Sequence, residues 1–228
     1  MILPSEYYEK NLYPLQDGVL NIISRSGTDF FLTGGTALSR GYYNHRYSDD
    51  LDFFLNQSQT YDEQVNTVLA LLRESGFVWD VQENFTRARN FTTFRAGYND
   101  SNVLLKLDFV NDLVPHFGDI QETALFCRTD SVRNILSNKL SAVYRYAPKD
   151  VADIREIAIR EPINWVEVIR EAKQKDAGLE VTYVCEILKS MPQSGFESVA
   201  WIEKPDWQVF CDDISRITFD MLVGGEVD

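Results

Sequence analysis

Apolar and aromatic residues at Tyr8, Leu12, Leu15, Val19, Ile22 and Ile23 recur at helical spacing, and they predict a helix over residues 5 to 26 that stops at Gly27. A short buried strand, DFFLT (29 to 33), follows and runs straight into Gly34-Gly35-Thr36. ALSRGYY then reads as a short helix, LDFFL (51 to 55) as a second strand, and YDEQVNTVLALLRESG (61 to 76) as an amphipathic helix closed by Gly76. The next stretch is β-rich: FVWDVQEN, NFTTFRAGY and NVLLKLDFV, with turns at Arg89-Asn90 and at YNDSN. From Ser131 the period changes to helical, giving helices over 131 to 145, 149 to 160, 164 to 176, 180 to 190 and 206 to 221. Asp130 or Ser131 caps the first of these, and Pro148 opens the second. The pattern therefore predicts an α+β chain: a mixed α/β half over residues 1 to 128 and an all-helical half over 129 to 228.

Composition narrows the class. With 228 residues, 44% of them hydrophobic and 13% aromatic, the chain can build a substantial core. No apolar run approaches the roughly 20 residues of a membrane span, and the start lacks the basic region and apolar core of a signal peptide. The expected location is the cytoplasm, with no membrane partner. Cys127, Cys185 and Cys211 are widely spaced and read as buried reduced thiols, and two histidines, His45 and His116, exclude a histidine-rich metal site. A net charge of −13 opposes a broad nucleic-acid-coating surface, while leaving room for a local RNA contact or a basic protein partner.

The chemistry concentrates in TGGTALSRGYYNHRYSDDLD (33 to 52). Side chains at i and i+2 of a strand share a face, so Asp50 and Asp52 aim at one point while Leu51 enters the core and Asp49 alternates away. Asp108 is a further acid in an apolar strand, where an unpaired charge is costly. If the two strands are neighbours, three carboxylates meet, the all-oxygen donor set that suits Mg²⁺ or Mn²⁺. The bland alternative is a solvated acidic turn with Asp108 paired to Lys106. Just upstream, the glycines let the backbone approach a ligand closely, and the N–H groups of a helix start favour anions, so Gly34, Gly35 and Thr36 form a candidate phosphate cradle.

These residues resemble the first motif of the AbiEii/AbiGii-type toxins, a branch of the nucleotidyltransferase superfamily with a DNA polymerase β-like core. The Gly-Gly-Thr is followed by His45, Arg46, Ser48, Asp50, Leu51 and Asp52 in the family's order, with a longer interval from Gly35 to Asp50 than in the wider superfamily. LLKLDF places Asp108 at the third metal carboxylate, and NKLSAVYRYAPKDVADI resembles the family's helical motif through Lys139, Arg145, Asp150 and Asp153. The likeness spans roughly residues 30 to 160.

The resemblance implies a polymerase β-like core with a mixed sheet, completed by helices that close the nucleotide cleft. It implies a metal-dependent transfer of NMP from an NTP to a macromolecular acceptor, RNA such as tRNA or a protein, by the toxin of a toxin–antitoxin or abortive-infection system with a cognate antitoxin. Asp50, Asp52 and Asp108 are then the catalytic and metal-binding acids. Gly34, Gly35, Thr36, Ser48 and Lys139 bind the nucleotide, Lys139 as a mobile ammonium on the triphosphate. Arg46 and Asp153 are further candidates: Arg46 also reads as charge balance for the three acids, and Asp153 as orienting Lys139 or an acceptor group, or equally as a structural ion pair with Arg145. Ser48 also suits a cap for the turn, and His45 a support for the loop. The competing functions are a catalytically silent nucleotide-binding regulatory module and a phosphotransferase using the same cradle.

Overall fold

A computed structural model describes residues 4–225. The chain divides into two compact units. The first runs to Tyr42, resumes over Tyr47–Leu113 and ends with Ile120–Asp130; the second holds Tyr43–Arg46, Val114–Asp119 and everything from Ser131 onward.

In the first unit, helical turns over Pro4–Tyr7 and a π-type segment Tyr8–Leu12 lead into the helix Tyr13–Ser24, whose inward stripe is Leu15, Val19 and Ile23. Six strands follow: β1 Phe31–Thr33, β2 Asp50–Asn56, β3 Phe77–Val78, β4 Phe85–Ala88, β5 Phe91–Tyr98 and β6 Leu105–Asp112. They form one sheet in the order β1-β2-β6-β5-β3, with β4 also paired to β5. β2 and β6 are parallel, and the remaining pairs are antiparallel. Along β2 and β6, Leu51, Phe53, Leu55, Leu107 and Phe109 point into the core, so their polar neighbours are left on the opposite face. Phe109 is the hub of that core: Phe53 stacks on it at 5.4 Å and Phe30 meets it edge-on at 5.1 Å. The helix Tyr61–Glu74 belongs to the same core, with the Tyr61 hydroxyl donating to the Phe109 carbonyl at 2.9 Å.

One β expectation is corrected. FVWDVQEN is not a single strand, because the Asp80 carboxylate accepts from the backbone N–H of Gln82 at 2.7 Å and turns the chain between β3 and β4.

The second unit is helical. Ser131 caps Val132–Ser141 by accepting from the Asn134 N–H, and a 3-10 turn, Val143–Arg145, ends at Tyr146 in the left-handed region (φ 55°). Pro148–Arg160, Trp165–Lys175, Val181–Lys189 and Trp207–Gly225 follow. A short helix, Gln193–Ser198, was not expected from the pattern. It carries Phe196, around which Trp201, Trp207 and Phe210 gather with ring centres 5.1–5.4 Å away. Both tryptophans thus serve packing. The thiols are free, and Cys185 is buried as expected; Cys127 is exposed and Cys211 half-buried, which corrects the expectation of three buried thiols. Among the described residues no helix is long and apolar enough to cross a membrane.

Candidate active site

β2 begins at Asp50, and its alternation puts Asp50 and Asp52 on the face opposite the core. The parallel pairing with β6 sets Asp52 directly across from Asp108, and Asp50 across from Lys106. The acids expected to meet are therefore neighbours on one face of the sheet. On the other side of β2, Thr33 at the end of β1 lies opposite Asp52. The next residue, Gly34, has φ +71°, and a Cβ there would overlap the Asp52 carboxylate. Glycine is required twice over, for its backbone conformation and for the room it gives the acid. Thr36 is buried, and its hydroxyl donates to the main-chain carbonyl of Asp50, fastening the Gly-Gly-Thr turn to the start of β2. Gly35 is buried beside it.

Asp108 is held by its own neighbours. Thr93, across from it on β5, donates to one carboxylate oxygen at 2.5 Å, and the Lys106 ammonium sits on the other. The pairing with Lys106 and the approach to Asp52 thus coexist. Asp49 turns away from this face, as alternation requires, and accepts from the Tyr8 hydroxyl at 2.6 Å. Ser48 is buried, and its carbonyl accepts from Gln16 Nε2 at 3.0 Å. Tyr8 also stacks on Tyr47 at 4.4 Å. Burial, then the bond to Asp49 and its charge, push the Tyr8 phenol well above its ordinary pKa, so it remains a donor. The N-terminal helical run thus holds the residues leading into β2. Sequence reasoning did not assign Tyr8, Gln16 or Thr93 these parts, since nothing local pairs them with Asp49, Ser48 or Asp108.

A divalent cation bound by all-oxygen ligands matches the donor type of Asp50, Asp52 and Asp108, and Gly34 leaves space for the Asp52 carboxylate. Among the described residues, however, no group of three acidic, histidine or cysteine side chains is already gathered as a metal site. Thr93 and Lys106 occupy the two oxygens of the Asp108 carboxylate.

The second unit contains a buried ionic network. Asp153 is inaccessible to solvent and receives the Arg46 guanidinium through two bonds (2.7 and 2.8 Å), His45 Nε2 at 2.8 Å and the Lys139 ammonium at 2.5 Å. Lys139 also reaches Asp150 at 2.7 Å, and Asp150 takes Arg145 in addition. Burial opposes the charge on Asp153, but Lys139 and Arg46 outweigh it and hold the carboxyl well below the usual carboxylate range. Burial likewise opposes the charge on Lys139, and Asp153 and Asp150 together raise its pKa instead. Asp150 is lowered: its burial is outweighed by Arg145 and Lys139.

The network bears on three expectations. Lys139 is buried between two carboxylates, so it is not a mobile arm. Arg46 grips Asp153 through two bonds, the arrangement that burial of both groups favours. Arg145 takes Asp150, so Asp153 belongs to Lys139, Arg46 and His45.

The fold is that of nucleotidyltransferase toxins. MenT4, a nucleotidyltransferase toxin from Mycobacterium tuberculosis H37Rv, superposes with a TM-score of 0.65 at 16% identity, over 99% of this chain and 87% of that one. JHP933 from Helicobacter pylori gives 0.66 at 17% identity, over 95% and 93%. No curated protein matches the sequence. The family model of the AbiEii toxins, described as nucleotidyl transferases of type IV toxin–antitoxin systems, matches residues 20–220, and the chain belongs to that family. The match reaches well past residue 160, into the helical half that the motif likeness alone had left uncovered.

Proposed function

We propose that this toxin transfers NMP from an NTP to a macromolecular acceptor, RNA such as tRNA or a protein, with Mg²⁺ or Mn²⁺, and that a cognate antitoxin restrains it. The observation that carries the reading is the direct opposition of Asp52 and Asp108 on adjacent strands, with Asp50 on the same face and Gly34 against Asp52.

Asp50, Asp52 and Asp108 would hold the divalent cation, which when bound neutralises phosphate charge and makes an acceptor hydroxyl a better nucleophile. Gly34 and Gly35 bring the main chain close enough to cradle phosphates, and Thr36 keeps that turn in register with Asp50. Ser48 supports the entry to β2 from its buried position. Lys139 is assigned to the triphosphate, with Asp150 and Asp153 keeping its ammonium charged until a phosphate competes for it.

The test incubates the protein and total RNA with Mg²⁺ or Mn²⁺ and each NTP, labelled at the α or the γ phosphate. Label from the α position should pass to RNA or protein and be lost in Asp50→Ala and Asp108→Ala, both folded by circular dichroism. Transfer from the γ position would replace this reading with a phosphotransferase, and activity retained in either variant would refute the role of the acids.

A further inference from the structure

The acid-bearing face of the sheet is laid out in rows across β2, β6 and β5. Asp52, Asp108 and Thr93 stand opposite one another in one row, and Asp50, Lys106 and Arg95 in the next. On the far side of the acids the row is apolar, beginning with Phe54 and Val110. Two cations, Lys106 and Arg95, are thus set side by side on adjacent strands, where like charges repel. The chain carries a net −13, so excess positive charge does not force them together.

Lys106 has Asp108 as a partner. Arg95 is exposed, and among the described residues its guanidinium makes no hydrogen bond or ion pair. Its main chain is fixed, with the N–H donating to the Asn84 carbonyl at 3.3 Å and the strand paired on both edges. A guanidinium on a rigid strand, in the row of Asp50 and one row from Asp52 and Asp108, is placed to grip an anion with two parallel bonds. The neighbouring ammonium adds a point charge to the same spot.

We propose that Arg95 and Lys106 form a phosphate subsite, resting on the nucleotidyl-transfer reading above. Arg95 holds the phosphate, and Lys106 shifts toward it from Asp108, which frees a carboxylate oxygen on the acid row. The phosphate belongs either to the NTP tail or to the backbone of an RNA acceptor, which present the same chemistry to the two side chains.

Isothermal titration of the full chain with inorganic tripolyphosphate and with a short ribo-oligonucleotide separates these sources. Arg95→Met should weaken one ligand by about tenfold or more, with Arg95→Lys intermediate because it keeps charge and loses the fork. The ligand that weakens names the source. Arg95→Met within about twofold of wild type for both ligands, or a wild type that binds neither, overturns the subsite. Because Arg95 is exposed, its replacement leaves the core untouched. The titration needs no turnover, so a wild type that binds tripolyphosphate through Arg95 and transfers no label would sink the functional reading alone.

Discussion

Asp153→Asn should be among the most damaging single-atom changes available in the helical unit. The substitution keeps the shape and removes the charge that faces Arg46 and Lys139, both buried. Breaking a buried pair by neutralising one partner costs about 3–5 kcal/mol, and neither cation is exposed enough here for water to take over. Asp150→Asn is the internal control. Its second partner, Arg145, has 54% of its side chain exposed and can be rehydrated, so that change should cost about 1–3 kcal/mol. Urea unfolding followed by circular dichroism measures both, and the larger loss corresponds to a fall in Tm of roughly 6–20 °C for a chain of this size. The pH dependence has a definite sign. The folded-state carboxyl of Asp153 lies well below its unfolded value, so its stabilisation is complete above that unfolded value. The gap between wild type and Asp153→Asn should stay flat from pH 8 to about 5 and close as the pH falls below about 4. A loss below about 1 kcal/mol for Asp153→Asn, or a greater loss for Asp150→Asn, would refute the reasoning.

Two further outcomes test the first unit. Gly34→Ala forces a side chain into the left-handed region and against the Asp52 carboxylate, so it should cost about 1–2 kcal/mol in backbone strain and reduce label transfer toward the level of Asp52→Ala; unchanged transfer would show that the close approach is unimportant. Tyr42 donates to the Asp130 carbonyl at 2.7 Å, and burial followed by the charge of Asp130 pushes its phenol up to about 12. Tyr42→Phe should lose about 1 kcal/mol at pH 8, and because the folded pKa is the raised one, that advantage of wild type should drain away as pH climbs from about 10 to 12.

What the residue pattern could reveal follows the range of the forces involved. Asp50 and Asp52 were legible as a pair because strand alternation is local, and Asp108 stood out because an acid inside an apolar strand demands a reason. That β2 and β6 lie side by side is a long-range pairing, which only the folded chain supplies. The ionic network shows the same limit. Lys139, Arg145, Asp150 and Asp153 were all visible, and Lys139 was one of the partners open to Asp153, but the contributions of His45 and Arg46 were not, since both come from more than a hundred residues upstream. Short-range competition hid other features. The Asp80 turn interrupts a stretch of strand-forming residues, and the helix Gln193–Ser198 is too brief to display a period.

The passage of residues Tyr43–Arg46 through the helical unit has a practical outcome for anyone dividing the gene. A fragment ending at residue 130 would carry His45 and Arg46 with no Asp153 to receive them, and its complement would bury Asp153 without its guanidinium. No single cut yields two self-sufficient pieces. Both Tyr43–Arg46 and Val114–Asp119 belong to the helical unit although they precede residue 131, so truncation experiments on this toxin should graft those two segments as well, or begin from both fragments mixed.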